Sequence, residues 1–219
     1  MVFMRKYVLS PTKLNLYGEC KRCFWLENNA GIKRPQGIFP SLPRGMDSVI
    51  KKYFDSYRNQ GTVPPELEGI GLRLFPDQAS LDVWRSMFRG IRWTDQAGNV
   101  LRGSPDEVLE GPKFVILDYK TRGSSPKPNS CTFYQLQLDA YTFLLTMNGK
   151  SVENYAYLLF YFPNKVIGKG EFVFDTELVK VEVDPNHAEQ VFRDAIRCLQ
   201  GPIPDNCCDY CKSVSKVWS

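Results

Sequence analysis

The stretch 103–120, GSPDEVLEGPKFVILDYK, decides the fold. Its apolar run at 114–117 predicts a buried strand, and this strand ends in Asp118 and Lys120. Charged side chains at the end of a core strand cost free energy unless they are paired or hold a metal. A turn signal at 110–113 separates this strand from a shorter one at 105–109. The two strands are therefore predicted to form an antiparallel hairpin.

The hairpin is expected to bring two acids together. Asp106 and Asp118 lie twelve positions apart, six on each side of the turn centre. Because strand side chains alternate between faces, Asp118 and Lys120 share one face and Tyr119 points away. Carboxylate oxygens suit magnesium or manganese, and a lysine can stabilise charge on a phosphate or orient an attacking water. The alternative interpretation is a structural hairpin with a surface ion pair.

GSPD followed by LDYK resembles the second and third motifs of the PD-(D/E)XK nuclease superfamily, with an Asp within the family's range as the third acid. The resemblance implies an α/β (α+β) fold with a restriction-endonuclease-like core, in which helices flank a central mixed β-sheet. It also implies a divalent-metal-dependent deoxyribonuclease. Asp106 and Asp118, assisted by the Tyr119 carbonyl, would hold magnesium or manganese. Lys120 would orient the water or stabilise the phosphate.

A predicted helix at 132–148 carries the next motif. Gln137 and Tyr141 lie four positions apart and therefore on one face. The segment QLDAY resembles the Gln-x3-Tyr signature that follows the lysine in RecB-like nucleases. The resemblance implies that these two residues orient Lys120 and contact the nucleic-acid backbone. The alternative is a polar edge beside a core tyrosine.

The helix before the hairpin, predicted at 44–59, lacks an expected ligand. RecB-like families usually place a metal-binding histidine or glutamate here, shortly after an Arg-Gly pair. Arg44-Gly45 is present, but Val49 and Ile50 occupy the place of that ligand. Asp47 and Asp55 are the candidate substitutes, and Asp47 suits a helix cap equally well.

Seven cysteines include two C-x2-C pairs, Cys20 with Cys23 and Cys208 with Cys211. Each pair can hold one metal or cluster, and Cys207 is an extra candidate. Joining the pairs would staple 1–30 to 200–219, and four thiolates suit zinc or an iron–sulfur cluster. The opening LSPTKLNLYGECKRCFWLE resembles that of RecB-like nucleases. CRISPR-associated exonucleases of this group hold an iron–sulfur cluster with terminal cysteines, which favours iron–sulfur over zinc; unliganded thiols are the alternative.

Other local patterns predict the remaining elements. Helices are predicted at 11–26, 77–88 and 185–199, and loops at 29–43 and 121–130. A meander of three or four strands, at 90–94, 99–103, 105–109 and 113–120, is predicted to form the central sheet. Strands at 154–162 and 170–183 are predicted to flank a turn at 163–168.

Composition sets the broad class. The 219 residues suit one domain, and 43% apolar residues with 13% aromatics indicate a globular core. The net charge of +4 permits nucleic-acid binding without demanding it. A single histidine, His187, argues against hydrolysis by several histidines. The sequence has no apolar run of membrane-span length and no signal-peptide pattern, so we expect a cytoplasmic protein without a disulfide scaffold.

Together these resemblances imply a nuclease, expected to be an exonuclease acting on single-stranded DNA, with a helicase or CRISPR-type complex as the expected assembly. One alternative is a weak or inactive nuclease fold that binds nucleic acid or a partner protein. Another is a small zinc-stapled interaction protein in which the hairpin acids have no role.

Overall fold

A computed structural model of the chain describes residues 5–35 and 41–215, with side chains to residue 212. Gly37 and Pro40 of the predicted loop, and the outermost residues of the predicted 1–30 and 200–219 subregion, lie outside this range. Among the described residues, none of the helices is both long and apolar enough to cross a bilayer.

The protein has a mixed α/β architecture. The helices are α1 (Pro11–Glu19), α2 (Lys21–Trp25), α3 (Ser41–Gln60), α4 (Gln78–Trp84), α5 (Gln135–Met147), α6 (Pro185–Gln200) and α7 (Asp209–Ser215). The strands are β1 (Val8–Leu9), β2 (Arg73–Leu74), β3 (Ile91–Thr94), β4 (Val100–Gly103), β5 (Glu107–Glu110), β6 (Phe114–Thr121), β7 (Tyr155–Gly168) and β8 (Glu171–Glu182). A π-helical turn covers Leu26–Ala30, and 3-10 turns cover Pro65–Leu67 and Ser130–Tyr134.

The central sheet has five strands in the order β2-β5-β6-β7-β8. The β6–β7 pair is parallel, and the other three pairs are antiparallel. Alternation along β6 divides the core, since Ile116 packs with α5 and α6 while Leu117 packs with α3. Helices therefore cover both faces of a mixed sheet, as predicted.

The prediction of one central meander of three or four strands is wrong. β4 pairs with both β1 and β3 in a separate three-stranded sheet, in the order β1-β4-β3. The break follows Gly103, where an added Cβ would lie 2.7 Å from the Tyr141 ring of α5. Pro105 also lacks the N–H that a continuing ladder needs. The packing of α5 thus separates β4 from β5.

Other predicted boundaries also differ, and the helix predicted at 77–88, for example, ends at Trp84. The predicted helix 11–26 is interrupted at Cys20, which is extended (φ −159°, ψ 105°) and whose Sγ accepts a hydrogen bond from the Cys23 N–H. The predicted turn at 163–168 is strand instead. Register shifts beside Pro163 accommodate its missing N–H, and β7 reverses only at Lys169, whose φ is 47°.

Candidate active site and metal centre

Asp106 and Asp118 lie together at one end of the hairpin. The β5–β6 register pairs Glu107 with Leu117, which brings Asp106 opposite Asp118 one position further on. Asp106 Oδ2 accepts a hydrogen bond of 3.0 Å from the Tyr119 N–H. The N–H and C=O of one strand residue point to the same side, so the Tyr119 carbonyl faces this edge too. The hairpin thus presents two carboxylates and a carbonyl.

Lys120 shares the face of Asp118, as the alternation predicts. Its Nζ forms an ion pair with Asp118 Oδ2 and donates a 3.0 Å hydrogen bond to Gln137 Oε1. The same ammonium lies 4.4 Å from the centroid of the Tyr134 ring. Tyr134 is not predicted as a site residue from the sequence, because its helical spacing assigns it to the apolar stripe. These contacts fix the lysine at a half-buried position beside the acids.

Gln137 links the lysine to α5. Its Nε2 donates a 2.9 Å hydrogen bond to the Tyr141 hydroxyl and lies 3.4 Å from Asp118 Oδ1. Gln137, Tyr141 and the strand residues Asp118 and Lys120 therefore form one connected polar group. The four-residue spacing on α5 is sufficient to place both side chains toward β6.

The electrostatics of the acid pair fit a divalent cation. Asp118 is only 1% exposed, and its Oδ2 accepts no hydrogen bond within the described residues although it contacts Lys120. Burial, followed by repulsion from Asp106, raises the pKa of Asp118 to about 7 despite the opposing effect of Lys120. Burial disfavours the Lys120 ammonium, but Asp118 outweighs burial and raises the pKa of Lys120. Oxygen ligands in this setting suit magnesium or manganese.

The α3 side of the site carries a lysine that the sequence patterns do not predict. Val49 is 63% exposed and Ile50 lies in the core beneath α3, and neither offers a ligand. Lys51 Nζ instead lies 2.7 Å from Asp106 Oδ1 and 2.8 Å from Asp47 Oδ1. Asp47 thus reaches the acid pair through Lys51. The Asp-x3-Lys spacing predicts an ion pair between Asp47 and Lys51 on α3, but no local pattern predicts the contact of Lys51 with Asp106.

Asp55, the other candidate substitute, belongs to a buried ion network. It pairs with Arg58 and lies 2.7 Å from Arg85 Nη1. Both arginines also pair with Glu107, whose side chain is fully buried. Burial raises the pKa of Glu107, although Arg85 and Arg58 oppose the rise. Arg85 Nε donates to the Asp106 carbonyl at 2.6 Å, so the network holds the backbone beside the acid pair.

The four cysteines of the two C-x2-C pairs converge. Their Sγ atoms all lie within 4.8 Å of one another. The Cys20–Cys211, Cys23–Cys208 and Cys23–Cys211 Sγ distances are 3.7, 3.6 and 2.9 Å. A tetrahedral zinc ion with bonds of about 2.3 Å places its sulfurs about 3.8 Å apart. The predicted staple between the two ends is confirmed, and Cys207 is exposed and outside the cluster.

The chain around this cluster acts unequally on its thiols, because burial raises the pKa of Cys23 and Cys211 whereas hydrogen bonds lower the pKa of Cys20 and Cys208. Arg34 Nη2 lies 3.6 Å from Cys208 Sγ, and its Nη1 contacts Glu19 at 2.7 Å. A backbone hydrogen bond from Cys211 is the main cause that lowers the pKa of Cys208 to about 6. A deprotonated thiol is the form that binds metal. Four convergent sulfurs beside a guanidinium therefore fit a bound metal ion or cluster.

Comparisons with known proteins extend these observations. The model of the PD-(D/E)XK nuclease superfamily matches residues 8–215, which include the acid pair, Lys120 and the four cysteines. Solved structures that match include the crystal structure of SSO0001, with a TM-score of 0.47 and 14% identity over 96% of this chain and 86% of that chain. No curated protein matches the sequence.

Proposed function

The chain belongs to the PD-(D/E)XK nuclease superfamily, and from that premise we propose that it is a divalent-metal-dependent nuclease that hydrolyses DNA phosphodiester bonds. The convergence of Asp106, Asp118 and Lys120 carries the proposal. A surface ion pair would leave its acid hydrated, whereas Asp118 is 1% exposed and lies against a second carboxylate. Lys120 offsets the burial of the two adjacent acids only in part, since the pKa of Asp118 still rises to about 7, and a divalent cation would offset the rest.

The metal would be held by Asp106, Asp118 and the Tyr119 carbonyl. Magnesium or manganese, when bound, would polarise the phosphate and lower the pKa of a water. Lys120 supplies a fixed positive charge beside the reacting phosphate and stabilises the charge that develops on it. Gln137 keeps that ammonium in place by accepting its hydrogen bond at 3.0 Å. Tyr141 in turn fixes the Gln137 amide at 2.9 Å.

We further propose an exonuclease that acts on single-stranded DNA within a single nuclease domain. The Gln-x3-Tyr spacing and the terminal cysteines, which resemble those of RecB-like exonucleases, support this choice. The mildly basic net charge of +4 is compatible with a nucleic-acid substrate. A helicase or CRISPR-type complex is the proposed setting for the activity.

For the cysteine centre we propose a single zinc ion. A cluster places iron and sulfide atoms between the thiolates, so its cysteine sulfurs must lie farther apart than those around one ion. Sulfurs within 4.8 Å of one another support zinc, the alternative to the iron–sulfur cluster that the resemblance favours. Protein purified without oxygen would be colourless and carry about one zinc per chain; a brown, iron-containing sample would contradict the choice.

A second candidate function is nucleic-acid binding without cleavage. Lys51 favours it, because its ammonium contacts Asp106 at 2.7 Å where a metal is expected. The two functions differ in one measurement. The nuclease requires single-stranded DNA to be degraded in the presence of magnesium or manganese, whereas the binding protein leaves the strand intact.

The deciding experiment compares wild type with Asp118→Ala and Lys120→Ala in that cleavage assay. Lys113→Ala is the matched control, because Lys113 lies at the opposite end of the same hairpin and is about half exposed in its ion pair with Glu153. We expect cleavage by wild type and the control and its loss in both site variants. Cleavage that survives both site substitutions would contradict the proposed site.

A further inference from the structure

Lys51 is a second lysine at the acid pair. Its contact with Asp47 is an ordinary i,i+4 pair on a helix surface. Its contact with Asp106, at 2.7 Å, is different because it joins α3 to the residue that precedes β5. The Lys51 and Asp106 side chains are 25% and 15% exposed, so this contact lies mostly below the surface.

Every oxygen of the acid pair already faces a group of the chain. Asp106 Oδ1 faces Lys51, and its Oδ2 accepts from the Tyr119 N–H. Asp118 Oδ1 faces Gln137, and its Oδ2 contacts Lys120. Lys120 thus faces Asp118, and Lys51 faces both Asp106 and Asp47. The Lys51 ammonium therefore contacts the Asp106 carboxylate on the side that faces α3.

We propose that Lys51 is a resident cation of the metal site, which holds Asp106 in the metal-free protein and withdraws when a divalent ion binds. The inference rests on the proposed metal-dependent function and names the residue that opposes the metal. Like charges repel more strongly where burial lowers the effective dielectric constant. A cation bound to Asp106 and the Lys51 ammonium cannot share Oδ1 without that repulsion.

The geometry of α3 makes the withdrawal feasible. Lysine has a flexible four-carbon stem, and one quarter of the Lys51 side chain is already exposed. Rotation about its side-chain bonds moves the ammonium toward solvent without moving the helix. The same rotation releases Asp47, whose two oxygens lie 2.8 and 2.9 Å from Lys51 Nζ. Lys51 therefore positions both carboxylates through its charge.

The test is the affinity for Mn²⁺, measured by calorimetric titration in the absence of DNA. Lys51→Met keeps an unbranched stem and removes the ammonium with its charge, and it is expected to bind Mn²⁺ about tenfold more tightly than wild type. Lys52→Met is the matched control, because Lys52 is the exposed neighbour on the same helix, and its affinity is expected to equal that of wild type. Unchanged or weaker binding by Lys51→Met would overturn the proposal.

Two further variants complete the experiment. Lys51→Gln repeats the loss of charge with a polar side chain. If circular dichroism detects a folding defect in Lys51→Met, the Mn²⁺ affinity of Lys51→Gln tests the proposal instead. Asp118→Asn is made in wild type and in Lys51→Met. If Mn²⁺ binding depends on Asp118 but is equal with and without Lys51, only the role of Lys51 is overturned. Mn²⁺ binding that is independent of Asp118 in both backgrounds overturns the proposed nuclease site as well.

Discussion

The ammonium of Lys120 lies 3.0 Å from the Oε1 atom of Gln137, so a strand and a helix meet at the candidate active site through one hydrogen bond. The amide has two further neighbours, since its Nε2 atom donates to Tyr141 and lies beside Asp118. One side chain thus sets the positions of the lysine and of a proposed metal ligand. Gln137 is a positioning residue in this arrangement.

Gln137→Leu removes these hydrogen bonds at nearly constant volume. We expect kcat for single-stranded DNA to fall about 10- to 100-fold, the usual loss when a partner of a metal-site residue is removed. Tyr141→Phe removes only the 2.9 Å hydrogen bond between Gln137 Nε2 and the Tyr141 hydroxyl, so kcat should fall less in this variant. Steady-state kinetics with manganese measure both variants. Equal kcat in wild type and Gln137→Leu would exclude the positioning role.

The buried network at Glu107 is expected to control stability. Glu107→Ala removes the buried carboxylate that Arg58 and Arg85 share, and it leaves these two guanidiniums, at 2% and 9% side-chain exposure, with Asp55 as their shared carboxylate. Breaking a buried ion pair costs about 3–5 kcal/mol, so the free energy of unfolding in urea should fall by that amount. Glu110→Ala is the control on the same strand. Its partner Arg73 is 70% exposed, so the cost should be at most about 1 kcal/mol.

Local patterns were sufficient for the acid pair and for Gln137 and Tyr141. Strand alternation and helical spacing act over a few residues, and they place Asp118, Lys120 and the α5 side chains correctly. The role of Lys51 was not predicted, because its contact with Asp106 depends on how α3 lies against the sheet. The separation of the two sheets was not predicted for a similar reason, since β4 pairs with β1, which lies more than ninety positions earlier in the chain.

The cysteine staple could be predicted although its halves are far apart in sequence. Each C-x2-C pair has the spacing of half a metal site. Two such pairs, each with two of the four ligands, are therefore expected to share one metal. The break at Cys20 could not be foreseen, because the flanking residues suit a continuous helix. The extended backbone at Cys20 lets its sulfur accept from the Cys23 N–H, which brings both sulfurs of the pair to one side.

Metal binding at the acid pair should depend on pH. Burial and Asp106 raise the pKa of Asp118 to about 7, so the folded, metal-free protein holds this proton more tightly than the unfolded chain does. The stabilisation from that proton is complete below the ordinary pKa of 3.8 and is lost as the pH rises through about 7. A metal must displace the proton. Calorimetry should therefore show Mn²⁺ affinity falling about tenfold per pH unit below about pH 7. Constant affinity from pH 5.5 to 8.5, roughly the span around that pKa, would contradict the assignment.

Loss of one cysteine of the cluster should release the metal and loosen the C-terminal segment from α1 and α2. Cys23→Ser removes a sulfur that lies 2.9 Å from Cys211 and 3.6 Å from Cys208. Three remaining thiolates leave a tetrahedral ion incomplete, so metal content by mass spectrometry should drop and the thermal midpoint should fall. Cys207→Ser is the matched control, since Cys207 adjoins Cys208 but is exposed and outside the cluster. Full metal occupancy in Cys23→Ser, or its loss in Cys207→Ser, would show that the ligand set is wrong.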